Sequence, residues 1–147
     1  MREKEALEYH KKGFNCVQSV FVVFSKEHGI PEIQALKVAG GFGSGMGRLQ
    51  GTCGAVTGAF MAIGLKHGKS LGDEGNEKRE KTYELVRTFD KKFREQFKTT
   101  SCKELLGCDM MTDEGKKFYT ENKLGEKVCD RCILQAVQIV EQLIEKK

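Results

Sequence analysis

The chain has no tryptophan, one proline and three tyrosines among 147 residues. So few tryptophans and tyrosines leave little surface on which nucleic-acid bases could stack. Its 25 lysines and arginines against 21 aspartates and glutamates give a net charge of only +4. The lysines are spread along the chain rather than massed into an arm, so nucleic acid is not an expected partner. No window approaches the roughly 18 consecutive apolar residues of a membrane span. The charged opening, Met1-Arg2-Glu3-Lys4-Glu5-Ala6-Leu7-Glu8, lacks the apolar centre of a secretory leader. A soluble, cytoplasmic protein without a membrane partner is expected. No segment alternates apolar and polar residues between turn signals, which leaves little basis for strands.

Helical spacing dominates instead. Phe14, Val17, Phe21 and Phe24, with Val20 beside them, form an apolar stripe that stops at Gly29. Pro31 suits the first position of a second helix carrying Ile33, Leu36 and Val38-Ala39. A third helix is expected from about Thr52 to Lys66, rich in small residues that permit close packing. After a loop over 68–76, a charged helix runs to about residue 98, with Val86, Phe89, Phe93 and Phe97 on one face. Ser101-Cys102-Lys103-Glu104 has the pattern of a capping box, and Gly107 ends that short helix. Thr112-Asp113-Glu114 caps at most one short turn, weakened by Gly115. The last helix spans about 126–145 and buries Cys129, Cys132, Ala136, Ile139, Val140 and Leu143. The expected fold is all-α, one compact helical bundle over residues 1–147.

Between the second and third helices lies the least ordinary stretch, Gly40-Gly41-Phe42-Gly43-Ser44-Gly45-Met46-Gly47-Arg48-Leu49-Gln50-Gly51-Thr52-Cys53-Gly54. It follows no strand and contains no Gly-Lys-Ser/Thr, so it is neither a P-loop nor a dinucleotide fingerprint. The reading that remains is a shaped loop that delivers Cys53 to the start of a helix. There, free N–H groups and the helix dipole favour thiolate over thiol. Arg48, the one charge in the run, either faces that thiolate or lies on the surface.

The other cysteines are Cys16, Cys102, Cys108, Cys129 and Cys132. In a reducing compartment they read as catalytic, metal-binding or buried rather than as a disulfide frame. Cys16, Cys102 and Cys129 also fall near helix starts, where the thiol pKa is expected to drop. Cys129-Asp130-Arg131-Cys132 places two sulfurs on one helical face, a spacing found in redox dithiols and in zinc or iron–sulfur sites. No βαβ pattern surrounds it, which removes a thioredoxin fold. The residue after Cys132 is Ile133 rather than histidine, which removes covalent haem attachment. His10, His28 and His67 are scattered, with no pair four residues apart.

These segments together resemble the C_GCAxxG_C_C family of redox-active proteins. Phe14-Asn15-Cys16-Val17-Gln18-Ser19-Val20, Gly41 to Ala59, Ser101-Cys102-Lys103-Glu104-Leu105-Leu106-Gly107 and Cys129-Asp130-Arg131-Cys132 are similar to its four cysteine segments. The resemblance implies that Cys16, Cys53, Cys102 and Cys129 are the family cysteines, with Cys108 and Cys132 as additions. The family name implies Gly-Cys-Ala, where this chain has Thr52-Cys53-Gly54-Ala55. A related domain occurs in split-Soret cytochromes, whose haem the missing C-x-x-C-H does not support here. Three readings stay open. In the first, Cys53 exchanges with Cys16, Cys102 or Cys129, in the manner of a thiol–disulfide oxidoreductase with an unidentified thiol or electron-transfer partner. In the second, those four thiolates hold zinc or an iron–sulfur cluster; in the third, they are inert core residues without a cofactor.

Overall fold

The computed structural model describes residues 1–145 and is all-α. Its helices are α1 (Arg2–Lys11), α2 (Cys16–Ser25), α3 (Glu32–Ala39), α4 (Gly54–His67), α5 (Glu77–Phe97), α6 (Cys102–Leu106), α7 (Asp113–Glu121) and α8 (Asp130–Ile144). Among the described residues there is no strand, only an isolated antiparallel bridge between Thr52 and Ser101.

The core forms around α2, because that helix is apolar on every side. Val17, Val20, Phe21, Val22, Val23 and Phe24 are all buried. A helix of this kind must be enclosed by others, and α1, α3, α4 and α8 pack against it. The Asn15 side chain accepts from the Gln18 N–H while Gln18 Oε1 accepts from the Asn15 N–H, both at 2.9 Å. This reciprocal cap is worth about 1 kcal/mol and fixes Cys16 as the first residue of α2. The phenylalanine face of α5 completes the core: Phe89 and Phe93 are fully buried, stacked with centroids 5.9 Å apart, and Phe60 of α4 meets Phe89 edge-on. Burying each such ring stabilises the fold by about 1.5–3 kcal/mol.

Three differences from the sequence expectations have clear causes. Arg2–Lys11 is helical although its only buried side chains are Ala6 and Tyr9. Ala6 and Tyr9 enter the core with Leu7 packed beside them, and the Arg2 guanidinium bridges Glu27 and Glu141, each at 2.7 Å, tying α1 to the ends of α2 and α8. Asp113–Glu121 is a nine-residue helix rather than one turn. Gly115 does not weaken it, because a Cβ there would lie 1.7 Å from the Asp109 carbonyl oxygen. The last helix is preceded by a π-helical turn over Gly125–Cys129, and α8 proper begins at Asp130.

Candidate functional site

The glycine run is a left-handed helical turn. Ser44, Gly45, Met46, Gly47 and Arg48 all have positive φ, between 54° and 74°. The Gly47 N–H closes the turn on the Gly43 carbonyl at 2.8 Å. Left-handed conformation costs about 1–2 kcal/mol at each residue with a Cβ, and alternating glycines roughly halve that cost. Gly45 has a second reason to be glycine: a Cβ there would lie 2.6 Å from Gln50 Cα. Gln50, itself at φ 55°, is buried and anchors the turn. Its Nε2 donates to the Cys108 carbonyl at 2.9 Å, and its Oε1 accepts from the Met110 N–H at 2.7 Å. Arg48 lies on the surface and is not among the groups acting on Cys53.

The turn hands the chain to a short pairing with the segment before α6. The Cys53 N–H donates to the Thr100 carbonyl at 2.6 Å, and the Cys102 N–H to the Gly51 carbonyl at 2.7 Å. Cys53 and Cys102 are thereby held on adjacent strands of chain, each opening a helix. On its other side Cys53 approaches Cys16, because Gly54 lets α4 come close to the start of α2. A Cβ on Gly54 would lie 2.9 Å from Cys16 Cβ.

The result is a cleft of about 960 Å³ lined by Cys16, Cys53, Cys102, Cys129 and Cys132. All six cysteines are free thiols. The structure thus brings Cys16, Cys53, Cys102 and Cys129 to one cleft and adds Cys132. Cys108 is half-buried and does not line it. Within the cleft the thiols shift one another's titration in pairs, Cys53 with Cys132 and Cys16 with Cys129. Among the described residues, no three histidine, cysteine, aspartate or glutamate side chains are disposed to hold a metal ion.

Each pair has a favoured thiolate. The neighbouring Cys132 thiol, and then the N–H groups of Ala55 and Val56 at the start of α4, lower the Cys53 pKa against the opposing effect of burial. Cys132, 1% exposed, is raised by the Cys53 sulfur and by burial. Cys129 is lowered by Cys16 and by Tyr119, whose hydroxyl lies 3.8 Å from its sulfur. Cys16 is raised by Cys129 and by burial. Tyr119 reaches Cys129 because residue 125 is glycine: a Cβ there would lie 2.8 Å from the Tyr119 hydroxyl. Beside this pair, His10 Nδ1 and Asp130 Oδ1 stand 2.6 Å apart on the cleft wall.

The expectation that every thiol at a helix start has a lowered pKa is therefore corrected. Cys16 and Cys102 open helices, yet both are raised. Burial, followed by the charges of Cys53 and Cys129, pushes Cys102 up to about 12. Of the residues the sequence reading treated as additions, Cys132 was detectable from its C-x-x-C spacing. Tyr119, His10 and Gln50 had no such signal; Gln50 stands in the glycine run, but its partners Cys108 and Met110, like the Asp130 partner of His10, lie far along the chain.

A protein-family model described as "Putative redox-active protein (C_GCAxxG_C_C)" matches residues 14–143. No curated protein and no solved structure shows significant similarity to the chain. No helix among the described residues is long and apolar enough to cross a membrane.

Proposed function

The chain belongs to the C_GCAxxG_C_C family, and from that premise we propose that it is a dithiol–disulfide redox protein whose working couple is Cys53 and Cys132. The observation that carries this reading is the pairing of a buried thiolate-prone sulfur with a buried thiol. Cys132 and then the N–H groups of Ala55 and Val56 at the head of a 14-residue helix lower the Cys53 pKa, and Cys132 is the proton-bearing partner.

The reaction runs against a disulfide small enough to enter the cleft, such as that of a low-molecular-weight thiol. The Cys53 thiolate attacks one sulfur of the substrate disulfide. A mixed disulfide forms and the substrate's other sulfur leaves as a thiolate, which takes a proton from solvent. Cys132 then attacks Cys53 Sγ. Its proton passes to the departing second thiolate, and a Cys53–Cys132 disulfide remains. Two protein thiols are oxidised and one substrate disulfide is reduced. Cys102, protonated at neutral pH, supplies an uncharged wall opposite Cys53 rather than a second nucleophile.

The test is oxidation of the reduced protein by a limiting amount of glutathione disulfide, followed by alkylation and peptide mapping. The expected product is a Cys53–Cys132 disulfide. Recovery of both residues as alkylated thiols would sink the reading. Thiolates are ligands for a soft metal or an iron–sulfur cluster, but no three of these side chains are disposed around one point. Stoichiometric zinc or iron carried through purification, and lost on Cys53→Ser, would replace the redox reading with that one.

A further inference from the structure

We propose that Cys16 and Cys129 form a second dithiol couple that re-reduces the Cys53–Cys132 disulfide from within and draws its electrons from an external dithiol. This rests on the reading of Cys53 and Cys132 as the working couple. It accounts for two features that reading leaves unused: a second sulfur pair on the same cleft, and a C-x-x-C that belongs half to each pair.

The two pairs differ in access. Cys53 is 6% and Cys132 1% exposed, whereas Cys16 and Cys129 are both half-buried. A small disulfide can enter the cleft, but a bulky reductant reaches only the outer pair. The pairs are also joined. Cys129 ends the π-helical turn and Cys132 lies in the first turn of α8, three residues on, where side chains share a face. The π-helical turn and the Tyr119 hydroxyl at 3.8 Å place and polarise the Cys129 sulfur, as π-bulges at functional sites commonly do. Cys16 is fixed opposite by the Asn15–Gln18 cap.

The exchange balances without an outside oxidant. The Cys129 thiolate attacks Cys132 Sγ in the Cys53–Cys132 disulfide. That bond breaks and Cys53 leaves as a thiolate, favoured because the Ala55 and Val56 N–H groups stabilise it. Cys16 then attacks Cys129 Sγ. Cys132 leaves and takes the proton that Cys16 gives up. The disulfide now joins Cys16 and Cys129, and the inner couple is reduced. An external dithiol attacks Cys129 Sγ through one thiolate, releasing Cys16, which is protonated. Its second thiolate closes the reductant's own disulfide and returns Cys129 as thiolate. Two electrons have passed from the external dithiol to the inner couple.

The experiment uses the full chain oxidised to the Cys53–Cys132 state, reduced thioredoxin as a bulky dithiol probe and dithiothreitol as a small one. Alkylation at successive times follows each cysteine. In the wild-type chain the Cys16–Cys129 disulfide should appear as Cys53–Cys132 is lost, before full reduction. Cys129→Ser should slow reduction of the inner disulfide by thioredoxin at least tenfold while leaving dithiothreitol reduction within about twofold. Cys16→Ser, which keeps Cys129, should stop the internal exchange at a Cys129–Cys132 disulfide, which thioredoxin then reduces by attack at Cys129 Sγ. Equal thioredoxin rates in the wild-type and Cys129→Ser chains would overturn the relay. So would a wild-type time course in which Cys16 and Cys129 stay alkylatable throughout, a measurement that does not depend on any variant folding. If the Cys53–Cys132 disulfide never forms, the working-couple reading fails first, so the two failures are distinguishable.

Discussion

Cys53 and Cys102 lie side by side on paired segments, each at the start of a helix, yet their thiols are driven in opposite directions. Cys53 is lowered, whereas Cys102 is pushed up to about 12. The difference lies in one position of register and in who holds the free N–H groups. Cys53 is itself the N-cap of α4, and the nearby N–H groups of Ala55 and Val56 lower its pKa although its sulfur makes no capping hydrogen bond. Cys102 is the first residue inside α6, where Ser101 is the N-cap and its Oγ already accepts from the Glu104 N–H at 3.2 Å. The helix behind Cys102 is only five residues long. Burial then decides its protonation state. A thiol gains from a helix start when the free N–H groups lie within reach of its sulfur and are not already taken by another cap.

The largest expected effect comes from breaking the Cys53 side of this pair at its support. Gly45→Ala places a Cβ 2.6 Å from Gln50 Cα in a residue at φ +66°. Left-handed strain and overpacking together should cost about 2–4 kcal/mol, measured as a lowered denaturation midpoint with loss of fast Cys53 labelling. Next, iodoacetamide at neutral pH should modify Cys53 faster than Cys102, because its thiolate fraction is larger. The fast phase should vanish in Cys53→Ser and persist in Cys102→Ser. A fast phase that follows Cys102 instead would invert the comparison.

Ser101→Ala tests the other side. Removing the cap should destabilise the protein by about 1 kcal/mol, read from urea unfolding. The smallest effect is confined to alkaline pH. Cys102 has its folded pKa raised from an ordinary 9.0 to about 12. The stability held by its neutral thiol is therefore fully present below pH 9 and lost as pH rises toward 12. Cys102→Ala should flatten the fall in melting temperature above pH 9 and leave the slope below it unchanged.

Much of this molecule was legible in its sequence. The apolar run from Val17 to Phe24, the phenylalanines of α5, the Ser101 cap and the stop at Gly107 are local signals, and each marks the helix it was read to mark. The glycine run signalled an unusual loop before Cys53. Less legible were α1, whose Arg2 pairs with carboxylates far along the chain, and the length of α7, whose Gly115 answers to the Asp109 carbonyl in the loop just before it rather than to helix propensity. Four cysteines were expected at one site. The pairing of Cys53 with Cys132 was not, because it depends on how α4 and α8 pack against each other.

The sequence by itself determined that the chain is helical and that its cysteines fall in the segments of its family, since helical period and residue type are written locally. Only the tertiary structure decided the protonation of each thiol. That state depends on which N–H groups, hydroxyl or second sulfur lies within reach of it, and on how far the surrounding helices exclude water. Beyond the helix start that sets the Ala55 and Val56 N–H groups near Cys53, neighbouring residues in the chain carry no record of these.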